Sequence, residues 1–196
     1  MGKLIVCNIM SLEGYYTGPG NDVMAPADGR GVRRLQRRTL ASRRHPPAGS
    51  YELRRVQGYW PSVADDASAS PANREISRLN SAIEKVVVSD SLTPDQTEPW
   101  LKTRIVERAD AHEQIAELKR ESGKDILVFG SRTLWSDLLA NDLVDELHLM
   151  IGRVVLGAGT PVFDGRPPGS LRLVDVRKWD DSDNVLLQYE VGREGT

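Results

Sequence analysis

The chain has 196 residues, 39% of them hydrophobic and 28% charged, with a formal net charge of −2. That length holds one sizeable core, so a single domain over residues 1–196 is expected, and the near-balanced charge excludes a whole-chain electrostatic case for nucleic acid. The lone cysteine, Cys7, excludes an internal disulfide, no run approaches the ~18 apolar residues of a membrane span, and no signal-peptide pattern opens the chain, so a cytoplasmic location is expected.

Lys3 to Met10 is a mostly apolar run broken by Asn8, and it reads as a largely buried first strand in which Cys7 is a small hydrophobe. Ser11-Leu12-Glu13-Gly14 and then Tyr15 to Gly20 carry three glycines and a proline, the mark of a long turn or flap. Glu13 is either an active-site acid or a solvated turn residue. Residues 29–49 break the pattern, with seven arginines, no lysine and no acid. No amphipathic stripe is clean there, and Pro46-Pro47 argues against a central strand or helix. A disordered loop is one reading. A nucleic-acid arm is another, although no aromatic is interleaved for base stacking.

Tyr51 to Val56 is a candidate short helix closed by Gly58-Tyr59-Trp60-Pro61. Ser70 caps a helix with Pro71 at its first position and Ile76, Leu79 and Ile83 on one face. Lys85 to Ser89 is a buried strand, and Arg104 to Glu107 a weaker one. Asp110 to Glu113 is a capping box opening a helix with Ile115 and Leu118 inward, ended by Gly123. His112 has no ligand-spaced partner.

Asp125 to Leu139 organises the rest. Ile126 to Phe129 reads as a strand buried on both faces, as in a parallel sheet. Gly130 ends it, Ser131 is a candidate N-cap, and Leu134, Trp135, Leu138 and Leu139 recur at helical spacing. The first amides of a helix have no partner inside it and sit at the positive end of its dipole. The turn is therefore either a phosphate cradle at a strand's carboxyl end, with Arg132 beside it, or an ordinary strand–turn–helix corner.

Val144 to Ile151 is a further strand, with His148 on the face opposite Leu147 and Leu149. Arg153 to Phe163 is a strand-like run with a glycine turn. Ser170 to Trp179 and Asn184 to Val191 form an antiparallel hairpin about the polar turn Asp180 to Asp183. The class is α/β. There is no metal-ligand spacing, no Walker phosphate loop and no internal repeat.

The order of Lys3-Leu-Ile-Val6, Ser11-Leu-Glu-Gly14, Gly58-Tyr-Trp-Pro61, Lys85-Val-Val-Val-Ser89, Asp125 to Thr133, Val144-Asp-Glu-Leu147 and Val154-Val-Leu-Gly-Ala-Gly159 resembles the dihydrofolate-reductase-like family. The branch is the one containing the reductase domain of bacterial riboflavin biosynthesis. The resemblance implies a three-layer fold whose mixed, mostly parallel sheet has about eight strands and ends in an antiparallel hairpin. It implies NADPH across the strand ends. Gly130, Ser131, Arg132 and Thr133 match the family's phosphate corner. Val88, Ser89 and Asp90 match the strand end near the adenosine half. Ile9 and Leu12 match positions near the nicotinamide, and Leu156 and Gly157 the late glycine turn. A homodimer, no membrane and no nucleic acid are implied.

The chain departs from the family at Arg153, where proline is usual, and across residues 27–50, where nothing matches an expected apolar strand ending Gly-Arg-x-Thr. The genetic code suggests a reason. Arg44 to Gly49 can be encoded CGA CAC CCT CCT GCT GGG, and one base later the same letters read Asp-Thr-Leu-Leu-Leu-Gly. The same shift over Val32 to Thr39 permits Phe-Asp-Ala-Tyr-Asn-Ala-Glu-Arg. Residues 27–50 are thus a candidate out-of-frame segment, and a chain lacking an inner strand is expected to be weakly stable and to bind NADPH weakly. The resulting functional expectation is an NADPH-dependent reductase of a small heterocyclic, pyrimidine- or pterin-like substrate, resembling 5-amino-6-(5-phosphoribosylamino)uracil reductase. Glu13 is the candidate proton donor by motif position, with an ordered water as the alternative. The rival is a non-catalytic nucleotide-binding relic or an arginine-armed nucleic-acid module.

Overall fold

The computed structural model describes residues 1–23, 25–26, 29–41, 47–100, 102–121, 123, 125–163, 165 and 169–192. Its centre is β1 (Leu4–Met10), whose first five residues are buried. The strand is apolar on both faces because it lies between two parallel neighbours, β6 (Ile126–Phe129) and β7 (Glu146–Ile151). Beyond β7 come β10 (Ser182–Gly192) and β9 (Ser170–Trp179), both antiparallel pairings. A second ladder holds β3 (Pro47–Gly49), β4 (Lys85–Val88) and β5 (Thr103–Val106), all parallel, with β3 lying beside β6. The two ladders, of five and three strands, are separate in their hydrogen bonding, and side by side they give the roughly eight-stranded, mostly parallel arrangement ending in a hairpin that the resemblance implies. Apart from it, β2 (Tyr15–Thr17) and β8 (Thr160–Pro161) form a two-stranded ribbon.

Alternation along β1 sorts the core into two faces. Leu4 and Val6, with Val128 of β6, meet Ile115 of α5 (Ala111–Glu121) and Trp135 and Leu138 of α6 (Arg132–Ala140). On the other face Ile5, Cys7 and Leu127 meet Leu40 of α1 (Gly29–Ala41) and Ile76 of α4 (Pro71–Ala82). Val87 meets Leu53 of α2 (Ser50–Gln57) on that side. α3 (Trp60–Val63) connects α2 to α4. The result is three layers. Ser70 caps α4 as its spacing requires, accepting the amide of Asn73 at 3.2 Å. His148 and Glu146, two apart on one strand face, are joined at 2.8 Å.

Three expectations need correction. Residues 29–41 are a helix, not a loop: Val32, Leu35 and Leu40 are buried along one side. The arginines hide that stripe from a composition-based reading, and two of them are tied down, Arg34 to Asp181 at 2.5 Å and Arg37 to Glu75 at 2.5 Å. Residues 47–49 do form a strand, β3, paired with β4 and beside β6, where a strand was expected to be missing; Pro47 is tolerated because it is the strand's first residue. Residues 42–46, and with them Pro46, lie outside the described residues. Of the run from Arg153 to Phe163, only Thr160–Pro161 is strand. The stretch before it turns back toward the flap, with the amide of Leu12 donating to the Val154 carbonyl at 3.0 Å.

Candidate functional site

β3 and β6 are neighbours whose following helices leave in opposite directions, α2 toward β4 and α6 toward β7. Such a switch point opens a crevice outside the strands' carboxyl ends, where ligands of open α/β sheets bind. Both bordering strands meet a glycine before a helix: Gly49 ends β3 and leads straight into α2, and Gly130 follows β6 and leads through Ser131 into α6. The second corner, expected to be missing, is thus present in the backbone, although Ser50-Tyr51-Glu52 offers no Arg-x-Thr.

At the β6–α6 corner the chain reverses through left-handed backbone at two successive residues, Gly130 (φ 70°) and Ser131 (φ 51°). Glycine adopts this freely; a serine does so at a cost of about 1–2 kcal/mol, and such strain gathers at ligand clamps. Ser131 holds the N-cap position as expected, but its side chain makes no capping hydrogen bond to the helix. Left-handed backbone aims it away from the amides it would cap. The intrahelical ladder starts with the Trp135 amide on the Ser131 carbonyl at 3.1 Å. The amides of Arg132, Thr133 and Leu134 precede that first bond, at the positive end of the dipole. A donor set of amides behind a residue without a side chain fits a diphosphate.

Arg132 links this corner to the flap. Its Nε donates to the Pro161 carbonyl at 2.7 Å, Pro161 pairs with Tyr15 across the ribbon, and the Val162 amide donates to the Gly14 carbonyl at 2.8 Å. Glu13 closes the circuit. Its carboxylate accepts the amides of Leu156 at 2.7 Å and Gly157 at 2.8 Å, and the Ser11 hydroxyl at 3.0 Å. Those two amides, with the hydroxyl adding to them, hold its carboxyl below the ordinary carboxylate range. Glu13 is exposed in the turn after β1, as a solvated turn residue would be, but its carboxylate also ties the flap to the late glycine turn; held ionised, it is poorly suited to give up a proton at neutral pH. Gly159 allows the closest approach: a Cβ there would stand 2.0 Å from the Thr17 carbonyl oxygen.

Five of the expected site residues, Leu12, Glu13, Arg132, Leu156 and Gly157, thus belong to one connected assembly. Ile9 lies elsewhere, in an apolar cluster with Val32, Leu35, Phe129, Met150 and Trp179. Val88 ends β4, and Ser89 and Asp90 follow it. The Ser89 Oγ accepts the amides of Ser91 and Leu92, and Asp90 accepts the Arg108 amide at 2.8 Å with the Arg108 guanidinium at 3.4 Å. Pro161, Arg108 and Trp179 escaped the sequence reading. A carbonyl acceptor and a partner eighteen positions away carry no local signal, and Trp179 looked like one more strand residue. Among the described residues, no group of three or more His, Cys, Asp or Glu is placed to hold a metal ion, and no helix is long and apolar enough to cross a membrane.

Comparison with known proteins agrees with this arrangement. The fold is shared with a protein of Shewanella sp. PV-4 assigned by likeness to riboflavin biosynthesis (TM-score 0.68, 20% identity, 98% of this chain and 100% of that one). It is also shared with RibD of Acinetobacter baumannii (TM-score 0.69, 16% identity, 98% of this chain and 59% of that one). In sequence, the uncharacterised Bacillus subtilis protein YyaP is 39% identical over 66 residues, 33% of this chain and 35% of that protein's length. Such partial identity and such low structural identity speak for fold rather than activity. The RibD C-terminal domain, however, matches residues 2–187, nearly the whole chain, and the chain belongs to that family.

Proposed function

We propose that this chain is an NADPH-dependent reductase of a small heterocyclic, pyrimidine- or pterin-like substrate, acting in the cytoplasm in the manner of 5-amino-6-(5-phosphoribosylamino)uracil reductase. The supporting observation is the β6–α6 corner, with strained left-handed backbone leading into the first-turn amides of a helix beside the β3–β6 boundary. Gly130, Ser131, Arg132 and Thr133 would hold the cofactor diphosphate, Val88, Ser89 and Asp90 would flank its adenosine end, and Ile9 and Leu12 its nicotinamide end. NADPH supplies the hydride when bound. The chain's own residues orient it and exclude water. The Glu13 latch draws the flap against the turn at Leu156 and Gly157, and Ile9, Phe129 and Trp179 give an apolar floor. With Glu13 held ionised, an ordered water is the better proton source. The arginine-armed alternative loses support because Arg34 and Arg37 pair with Asp181 and Glu75.

The test is an NADPH titration followed by fluorescence, then a panel of pyrimidine and pterin substrates followed by loss of NADPH absorbance. Saturable binding with turnover of one class is expected; absence of binding to any nicotinamide dinucleotide removes the reading.

A homodimer belongs to the same proposal. β9 is the terminal strand of the five-stranded ladder, and Leu173, Val174 and Val176 on it are 48%, 42% and 54% exposed. Long apolar edges invite pairing, and a second copy covers this one. Light scattering at micromolar concentration is expected to give twice the chain mass; a monomer refutes it.

A further inference from the structure

We infer that Asn8 is a ligand-reading residue, its side-chain carboxamide matched to a flat amide edge, donor beside acceptor, on the cofactor or the heterocyclic substrate. This rests on the reductase reading. Asn8 interrupts an otherwise apolar central strand and is 1% exposed, yet neither its Oδ1 nor its Nδ2 has a hydrogen-bond partner. An amide buried with both ends unsatisfied costs stability, and in a strand so placed a leucine would be favoured unless the amide meets something. Its position says where. By the alternation of β1, Asn8 shares the face of Leu4 and Val6, the face covered by α6. Cys7 pairs with Phe129 and its carbonyl accepts the Gly130 amide at 3.3 Å, so the ladder sets Asn8 alongside Gly130. Gly130 offers no side chain to fill the space beside it. The carboxamide therefore stands at the root of the glycine corner, among the apolar side chains of its face.

The chemistry narrows the partner. An anion would satisfy the NH₂ and leave Oδ1 bare; an apolar group would satisfy neither. A planar amide, O=C–N–H, satisfies both at once. Two parts of the proposed reaction carry it: the carboxamide of nicotinamide and the lactam edge of a pyrimidine or pterin.

The experiment compares the wild type with Asn8→Leu, of similar shape, and with Asn8→Ala should leucine pack badly. Melting temperature is measured for the free protein and for affinity toward NADPH, the 2′-phosphate of ADP-ribose, which lacks nicotinamide, and 6-aminouracil. The free variant is expected to melt at or above the wild-type temperature, because an unpaired amide has been removed. If the cofactor is read, NADPH weakens at least tenfold in the variant while ADP-ribose 2′-phosphate is unchanged. If the substrate is read, 6-aminouracil weakens instead. A variant that melts lower than wild type with all three affinities unchanged overturns the inference and makes Asn8 a structural residue, as does a variant unchanged in every measurement. A wild type that binds none of the probes overturns the reductase reading itself, and this inference with it.

Discussion

Glu13 and Gly157 lie 144 positions apart, and a hydrogen bond of 2.8 Å from the Gly157 amide to the Glu13 carboxylate joins them. With the companion bond from Leu156, it fixes the flap after β1 to the turn after β7. A motif acid that invites assignment as a catalyst is here an acceptor for backbone.

Glu13→Ala is expected to speed hydrogen exchange at the Leu156 and Gly157 amides, with Glu13→Gln intermediate because its amide oxygen still accepts one bond. The pH dependence follows from the lowered pKa. The latch is at full strength above the ordinary carboxylate range and weakens as pH falls through the folded-state value. Exchange at both amides as slow in Glu13→Ala as in the wild type would refute the latch.

Arg132→Ala is expected to weaken NADPH more than NADH if the guanidinium meets the 2′-phosphate, since charge-assisted contacts of this kind contribute roughly 1.5–3 kcal/mol. Its bond to the Pro161 carbonyl would be lost toward either cofactor, loosening the ribbon. Equal weakening would confine Arg132 to the diphosphate or to that carbonyl.

Glu146 is held at about 2, first by the hydrogen bond from His148 and further by Lys3, against an ordinary 4.5. The depression supplies stability that is complete above 4.5 and is lost as pH falls toward 2. Urea midpoints of Glu146→Gln should lie below wild type at neutral pH and converge with it in acid. Parallel curves down to the acid limit would show that the pair stabilises nothing.

Residues 27–50 remain, in our proposal, an out-of-frame stretch, for a reason sharper than the missing strand first expected. Pro47-Ala48-Gly49 runs beside Val86, Val87 and Val88 of β4, yet carries far less apolar carbon than that neighbour. The shifted frame would put Leu-Leu-Gly at the same three positions, and Phe and Tyr where Val32 and Leu35 now form the buried stripe of α1. Larger side chains at the Val32 and Leu35 positions, which already face the core, bury more surface. The repaired chain is therefore expected to melt higher and to bind NADPH more tightly. Sequencing the source DNA decides directly: codons that give no apolar strand in any frame end the proposal.

What the sequence disclosed depended on the range of the signal. β1, β4, β6 and the hairpin of β9 and β10 were legible because burial on one or both faces writes itself as runs or alternation. The corner at Gly130 was legible because a strand, a glycine and a helical repeat follow one another. α1 was missed because three apolar residues spaced among arginines look like noise until Ile9, Met150 and Leu186 are seen opposite them. The Glu13 latch was missed because its partners are backbone amides from the far end of the chain, where no side-chain identity records the contact.

Gly159 carries one more consequence. Its φ of 154° and the Thr17 carbonyl oxygen 2.0 Å from where a Cβ would stand leave the ribbon no tolerance at that point. A single methyl group, as in Gly159→Ala, would act as a wedge, prying Thr17 from its place and tilting the whole flap outward. Loss of function there would arise with every side chain of the candidate site still present, a failure of closure rather than of chemistry.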